Sequence, residues 1–288
     1  MQYLVWLVAS MLVRRLPTRA RYAIASIAGT ITYYAWPRGR RATERNFRRV
    51  LRGKPRSVVR RTARQSIVNY CKYLADFIRF PALPPDEMLR LAGGREPFAP
   101  IDAILQRGRG AIIVCMHFGN WDLGAGAAAA AGAPLTAVAE SFADARLDRA
   151  VIRTRERAGI RVVKMEKAAT SLYRALQRNE LLALLIDRPT PGDGVRVPFF
   201  GEDVEVPAGP ARLALMTGAP VVPAAFARTS SNAMDVRVLA DLDVSIEPTG
   251  NRDADVYELT RRIMAAHERF ISQYPDQWYM FRDMWGDP

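Results

Sequence analysis

Ala111-Ile-Ile-Val-Cys-Met-His-Phe-Gly-Asn-Trp-Asp122 is the stretch whose reading decides the fold. Its first six residues are an unbroken apolar run of the length of a fully buried strand. The run ends at His117, a turn containing Gly119 and Asn120 follows, and a helix opens near Trp121-Asp122. Strand, glycine turn and helix in that order begin a βαβ unit, and in parallel sheets ligands bind beyond the carboxyl ends of the strands. The same rhythm continues on both sides. Apolar runs at Leu135–Ala139, Arg161–Lys164, Leu181–Ile186 and Val221–Ala227 alternate with helical patterns at Asp144–Ala158, Ala168–Gln177, Ala211–Thr217 and Asp253–Tyr274. The alternation predicts an α/β fold, a mostly parallel central sheet with helices on both faces. Residues 234–246 alternate apolar and polar side chains, as an edge or antiparallel strand would.

The first fifth of the chain has a different character. Residues 1–64 hold sixteen Lys or Arg against one acid, Glu44, a local net of +15. The formal total of +13 therefore leaves −2 on residues 65–288. Such one-sidedness points to an anionic partner: DNA, RNA or a membrane surface. Two uncharged runs favour the membrane. Gln2–Val13 and Tyr22–Trp36 are each shorter than the roughly 20 apolar residues a spanning helix needs, and suit helices lying in the interface. Residues 38–64, with twelve basic residues, read as an arginine-faced helix, a turn near Gly53-Lys54-Pro55 and a second helix running to about Arg79. The expected organisation is an N-terminal helical membrane-associating segment over residues 1–80 and a catalytic α/β domain over 81–288. The expected location is the cytoplasmic face of the inner membrane.

Two cysteines exclude a disulfide framework, and two histidines exclude a histidine-rich metal site. Only four of the 42 basic residues are lysine, a bias that reads mainly as a G+C-rich genome. The chemistry therefore centres on His117. Asp122, in a first helical turn, can fold back to the imidazole, fix its tautomer and leave the other ring nitrogen as a general base. A protein nucleophile is lacking. Cys115 shares a strand face with His117, but an i, i+2 pair rarely has attack geometry, so Cys115 reads as strand filler. His267 lies in an amphipathic pattern and reads as a surface histidine.

His117-Phe-Gly-Asn-Trp-Asp122 resembles the HxxxxD motif of glycerolipid-type acyltransferases, in the form found in the lipid A lauroyl/myristoyl acyltransferase family and the related phosphatidylinositol mannoside acyltransferases. Further stretches match in order: Leu135–Glu140; Asp187-Arg188 followed by Gly194–Glu202; Pro207–Ala211 and Thr217–Pro223; and Tyr274-Pro-Asp-Gln-Trp278-Tyr-Met. Asp122, Ala139-Glu140 and Trp278-Tyr279-Met280 are more similar to the mannoside branch. The resemblance implies transfer of a long acyl chain from acyl-CoA to a sugar hydroxyl of a membrane glycolipid, the mannose 6-hydroxyl of phosphatidylinositol mannoside. His117 is then the general base and Asp122 its orienting partner. Glu140, Asp187 and Arg188 are candidate acceptor-side or charge-relay groups, and Glu202 and Asp193 candidate substrate-binding acids. Backbone amides around Gly119 and Asn120 are the natural oxyanion donors. No metal and no cofactor beyond acyl-CoA as co-substrate is implied. Phe118, Trp121, Phe199 and Phe200 line an acyl channel or are core, and the small-residue run Gly124–Gly132 either passes an acyl chain or packs closely on the sheet. The alternatives are a lipid A type enzyme using acyl carrier protein and, in another class, a non-catalytic basic module binding lipid or nucleic acid.

Overall fold

The structure is a computed structural model that describes residues 2–165, 168–188, 194–230, 233–242 and 244–286. Asp193 lies outside the described residues. The strands are β1 (Ala111–Cys115), β2 (Leu135–Ala139), β3 (Ile160–Lys164), β4 (Leu181–Leu185), β5 (Gly194–Phe199), β6 (Glu202–Pro207), β7 (Val221–Arg228) and β8 (Val236–Ala240). Six of them form one sheet in the order β3-β2-β4-β1-β7-β8, parallel except for β8, which runs antiparallel to β7. Among the described residues of the run 234–246, the five of β8 are strand.

The helices are α1 (Gln2–Arg15), α2 (Thr18–Ala35), α3 (Pro37–Val50), α4 (Arg56–Arg79), α5 (Pro85–Leu91), α6 (Ala99–Leu105), α7 (Trp121–Ala130), α8 (Ala145–Arg157), α9 (Ala168–Gln177), α10 (Gly209–Thr217) and α11 (Arg252–Gln273). Alternate residues of β1 show how the sheet is covered. Ile112, Val114 and Met116 pack with side chains of α9, α10 and α11, whereas Ala111, Ile113 and Cys115 pack with α5, α6 and α7. Both faces are buried, which is why β1 is apolar throughout and β7 is apolar up to Arg228. The N-terminal helices join the first of these layers. Phe47 of α3 and Val59, Ala63 and Ile67 of α4 share a core with Phe199 and Trp278. Among the described residues, no helix is long and apolar enough to cross a membrane.

Two segments differ from the sequence reading. Residues 194–207, where the sequence reading placed no strand, form the β5–β6 hairpin, whose two-residue turn places Phe200 (φ 52°) and Gly201 (φ 78°) in the left-handed region. Glu268 accepts the Phe200 N–H at 3.0 Å and helps hold that conformation. His267, read as a surface residue, is 1% exposed, because α11 is packed by β5, β7 and α10 rather than on one side only.

Burial lowers the His267 pKa to about 4, against weaker upward pulls from Asp187 and the Val114 carbonyl. The folded value lies below the unfolded one, so the unfolded chain takes up the proton first as pH falls. Stability is therefore insensitive to this group above pH 6.5 and declines between about 6.5 and 4, by about 3 kcal/mol in full. Urea unfolding of wild type and His267→Gln across that window should show the steeper decline in wild type. Parallel pH slopes would remove His267 as the cause.

Candidate active site

β1 and β4 are hydrogen-bonded neighbours, with Cys115 opposite Leu185. Two residues beyond that pair on each strand stand His117 and Asp187, so the register itself brings them level at the carboxyl edge of the sheet. The Asp187 carboxylate, fully buried, accepts the His117 backbone N–H at 2.9 Å and meets the ring Nδ1 at 2.7 Å. Burial pushes the Asp187 carboxyl up. The His117 ring, its backbone N–H and Arg188 more than offset that and hold it below its ordinary value. An ionised Asp187 fixes the tautomer in which Nδ1–H donates, and Nε2 is left as the acceptor on the cleft side.

Asp122 makes no hydrogen bond to His117. Its carboxylate is gripped by the Arg155 fork, Nε to Oδ1 at 2.7 Å and Nη2 to Oδ2 at 3.2 Å, and accepts the Tyr73 hydroxyl at 2.6 Å. The orienting role read for Asp122 is geometrically filled by Asp187. Asp122 instead fixes Arg155, a residue of the last turn of α8 whose side chain is 17% exposed. Arg155 went unnoticed in the sequence because one arginine among 38 carries no local signal. Trp121 stands between the two arrangements, stacked on Tyr73 with ring centroids 3.9 Å apart and edge-on to His117 at 5.3 Å.

The backbone amides read as oxyanion donors are engaged elsewhere. Gly119 N–H donates to the Gln277 carbonyl at 2.8 Å and Asn120 N–H to the Phe226 carbonyl at 2.9 Å. The Asn120 side chain caps α7 by accepting the Leu123 N–H at 3.3 Å. These contacts explain the turn. Gly119 has φ 59°, and a Cβ there would lie 1.9 Å from the Phe226 carbonyl oxygen, so no other residue fits. Behind it, Asp76 of α4 takes the Asn120 amide at 3.3 Å, the Tyr22 hydroxyl at 2.8 Å and Arg228 Nη2 at 2.7 Å, all of them buried.

Two cavities meet here. An open cleft of about 630 Å³ is lined by His117, Glu140, Arg188, Arg212 and Arg252. An apolar cavity of about 260 Å³ runs between the sheet and helices α6 and α7, past Cys115, Trp121, Gly124, Ala125, Ala128 and Phe98. Val138, Arg155, Leu184 and Leu185 line both. The small side chains of α7 have two kinds of surroundings: Gly124 approaches the Phe226 ring too closely for a Cβ, and Ala125 and Ala128 border open space. Burial pushes the Cys115 thiol up to about 12, which leaves it inert as a nucleophile. Glu140 pairs with Arg188 at 3.2 Å on the rim of the cleft. Glu202 lies at the hairpin tip, held by Arg49 and Arg52 at 2.7 and 3.2 Å, and borders neither cavity. Phe118 and Phe199 are core, Phe199 among Phe200, Trp278 and Trp285; of the four aromatics only Trp121 borders a cavity.

The His117–Asp187 pair thus opens on a cleft beside an apolar cavity. The chain belongs to the bacterial lipid A biosynthesis acyltransferase family, whose family model matches residues 1–286. It is similar to the phosphatidylinositol mannoside acyltransferase of Mycolicibacterium smegmatis, 29% identical over 260 residues that cover 88% of this chain and 82% of the relative. It is also similar to the protein of the same name from Mycobacterium tuberculosis, 28% identical over 284 residues that cover 96% of this chain and 85% of that relative.

Proposed function

We propose that this acyltransferase moves a long acyl chain from acyl-CoA to a sugar hydroxyl of a membrane glycolipid, the mannose 6-hydroxyl of a phosphatidylinositol mannoside. The observation that carries the reading is the His117–Asp187 pair at the meeting of an arginine-rimmed cleft and an apolar cavity. A sugar hydroxyl is a weak nucleophile at neutral pH. His117 Nε2 takes its proton as the oxygen attacks the thioester carbonyl. Asp187 orients the ring and stabilises the imidazolium. The thiolate leaves as the tetrahedral intermediate collapses and takes up the proton from His117. The alkyl chain lies in the apolar cavity, where each buried methylene contributes about 0.8 kcal/mol. With the Gly119 and Asn120 amides occupied, Arg155 is the cationic group at the junction of the two cavities, held there by Asp122 to stabilise the developing oxyanion. Arg188, Arg212 and Arg252 suit a phosphorylated donor and acceptor.

The names of the relatives support the mannoside acceptor over a lipid A precursor. The test offers acyl-CoA and acyl carrier protein thioesters in turn against a mannolipid and a lipid A precursor, with products read by mass spectrometry. Acylated mannolipid from acyl-CoA is expected. Acylated lipid A precursor alone would replace the acceptor, and dependence on acyl carrier protein would replace the donor.

The acceptor is a membrane lipid, and the reading places α1 and α2 on that membrane, at the cytoplasmic face. Leu4, Leu7, Val8 and Met11 of α1 and Ile24, Ile27, Ile31 and Tyr34 of α2 are exposed, while Tyr22, Ala25 and Gly29 face α4. Ile27→Asp with Ile31→Asp is expected to lower flotation with vesicles at any salt concentration, because apolar insertion is not screened. Undiminished flotation would place the membrane contact elsewhere.

A further inference from the structure

The arginines of α3 and α4 are not spread evenly over the surface. Arg40 and Arg41 of α3 and Arg60, Arg61 and Arg64 of α4 face one another across a cleft of about 620 Å³, closed at one end by Tyr33 and Tyr34 of α2. Glu44, the one acid in the cleft, is already engaged: it accepts the Tyr33 hydroxyl at 2.7 Å and stands 4.0 Å from Arg40, which lies over the Tyr33 ring. Among the described residues no carboxylate pairs with Arg41, Arg60, Arg61 or Arg64. Arg60 and Arg64 are an i, i+4 like-charge pair, which costs helix stability. Arg60 is exposed and Arg64 half-buried. Four unpaired guanidinium groups turned into one concavity are unfavourable unless an anion joins them.

The position of the cleft selects the anion. Tyr34 is both a wall of the cleft and part of the exposed apolar face of α2, and Ile31 and Trp36 stand exposed on either side of it in the chain. A group bound there sits beside an apolar helix face, at the depth of a headgroup and not in bulk water. Guanidinium forks match phosphate oxygens in geometry and charge.

We infer that the α2–α3–α4 cleft is a binding site for the phosphate of an anionic membrane phospholipid, with Arg41, Arg60, Arg61 and Arg64 as its ligands. This lipid is held outside the acyl-transfer cleft and is not the acceptor. It fixes the depth and rotation of α2 on the membrane, whereas a diffuse basic surface would hold the protein at no particular angle. The inference rests on the reading of α2 as membrane-facing.

The experiment measures binding of the full chain to vesicles of phosphatidylcholine alone and of phosphatidylcholine with phosphatidylglycerol. Wild type is expected to prefer the anionic vesicles. Arg60→Gln with Arg61→Gln removes two charge-assisted hydrogen bonds to the phosphate and should lower anionic-vesicle partitioning about thirtyfold or more, and leave binding to phosphatidylcholine unchanged. The control pair Arg48→Gln with Arg56→Gln, also exposed and outside the cleft, should cost no more than a few-fold. Equal losses from the two pairs would mean diffuse attraction and overturn the site. Loss of binding to both vesicle types would come from Ile27→Asp with Ile31→Asp, so failure of the α2 reading is told apart from failure of the cleft. Monomeric short-chain phosphatidylglycerol and inorganic phosphate, each titrated against the full chain by isothermal titration calorimetry, complete the test. Saturable binding of the lipid and not of phosphate is expected, and equal affinity for inorganic phosphate would assign the cleft to a soluble anion.

Discussion

His117→Ala is expected to lower the rate of acyl transfer by about 10² to 10⁴, the usual range for loss of a general base, with little change in folding. The ring is 12% exposed at a strand end and fills no core position. More informative is the order of the two carboxylates. Asp187→Asn keeps the shape of the side chain but loses the charge that holds the Nδ1–H tautomer. Its loss should approach that of His117→Ala, and the two substitutions combined should cost scarcely more than either alone, as expected of residues acting as one unit. Asp122→Asn touches a different group. It loosens Arg155 and spares the imidazole, so its effect should add to that of Asp187→Asn. Steady-state kinetics of the three single variants and their pairwise combinations decide the matter. Near-normal rates in Asp187→Asn, or non-additivity between Asp122 and His117, would return the orienting role to Asp122.

The second large effect is on stability. Arg228 is 3% exposed, and its guanidinium bonds Asp76, the Tyr22 hydroxyl and the Ala233 carbonyl. Burial pushes the Asp76 carboxyl up, against the pull of Arg228. Arg228→Met leaves that carboxylate buried without its counter-charge, a change that typically costs about 3 to 5 kcal/mol. Urea denaturation should show such a shift, and Asp76→Leu added to Arg228→Met should recover part of it, since an apolar pair of similar volume needs no solvation. A loss under about 1 kcal/mol in the single variant would show that solvent or another base takes the place of Arg228. Because Asp76 also takes the Asn120 amide, and Asn120 caps α7, activity in Arg228→Met should fall before the chain unfolds.

The strands and helices around His117 were legible because fully buried strands are short apolar runs and their punctuation is glycine and proline. His117 was legible because it ends such a run. Asp187 ends the next-but-two run in the same way, and that symmetry was the available signal. What the sequence cannot express is that β4 lies beside β1, since strand order is set by packing far along the chain. Asp122, five residues away and on a helix, looked the nearer partner only along the chain. The β5–β6 hairpin was missed because its turn is Phe200-Gly201, with an aromatic residue where Asn or Asp would give the familiar signal. His267 was misjudged because α11 has an amphipathic pattern while later elements cover its second side.

The shared wall of the two cavities has a consequence for selectivity. Val138, Leu184 and Leu185 on one side and Arg155 on the other make it a boundary between an oil-like compartment and a wet one. A thioester has the same boundary in its own structure: its carbonyl joins the greasy tail to the soluble head. On the proposed reaction, each end drawn into its own medium would leave the reactive carbon stopped at the interface, next to His117. Registration would then be achieved by phase and not by shape, so a donor with too short a tail is expected to bind without being placed, and its penalty to fall on turnover more than on affinity.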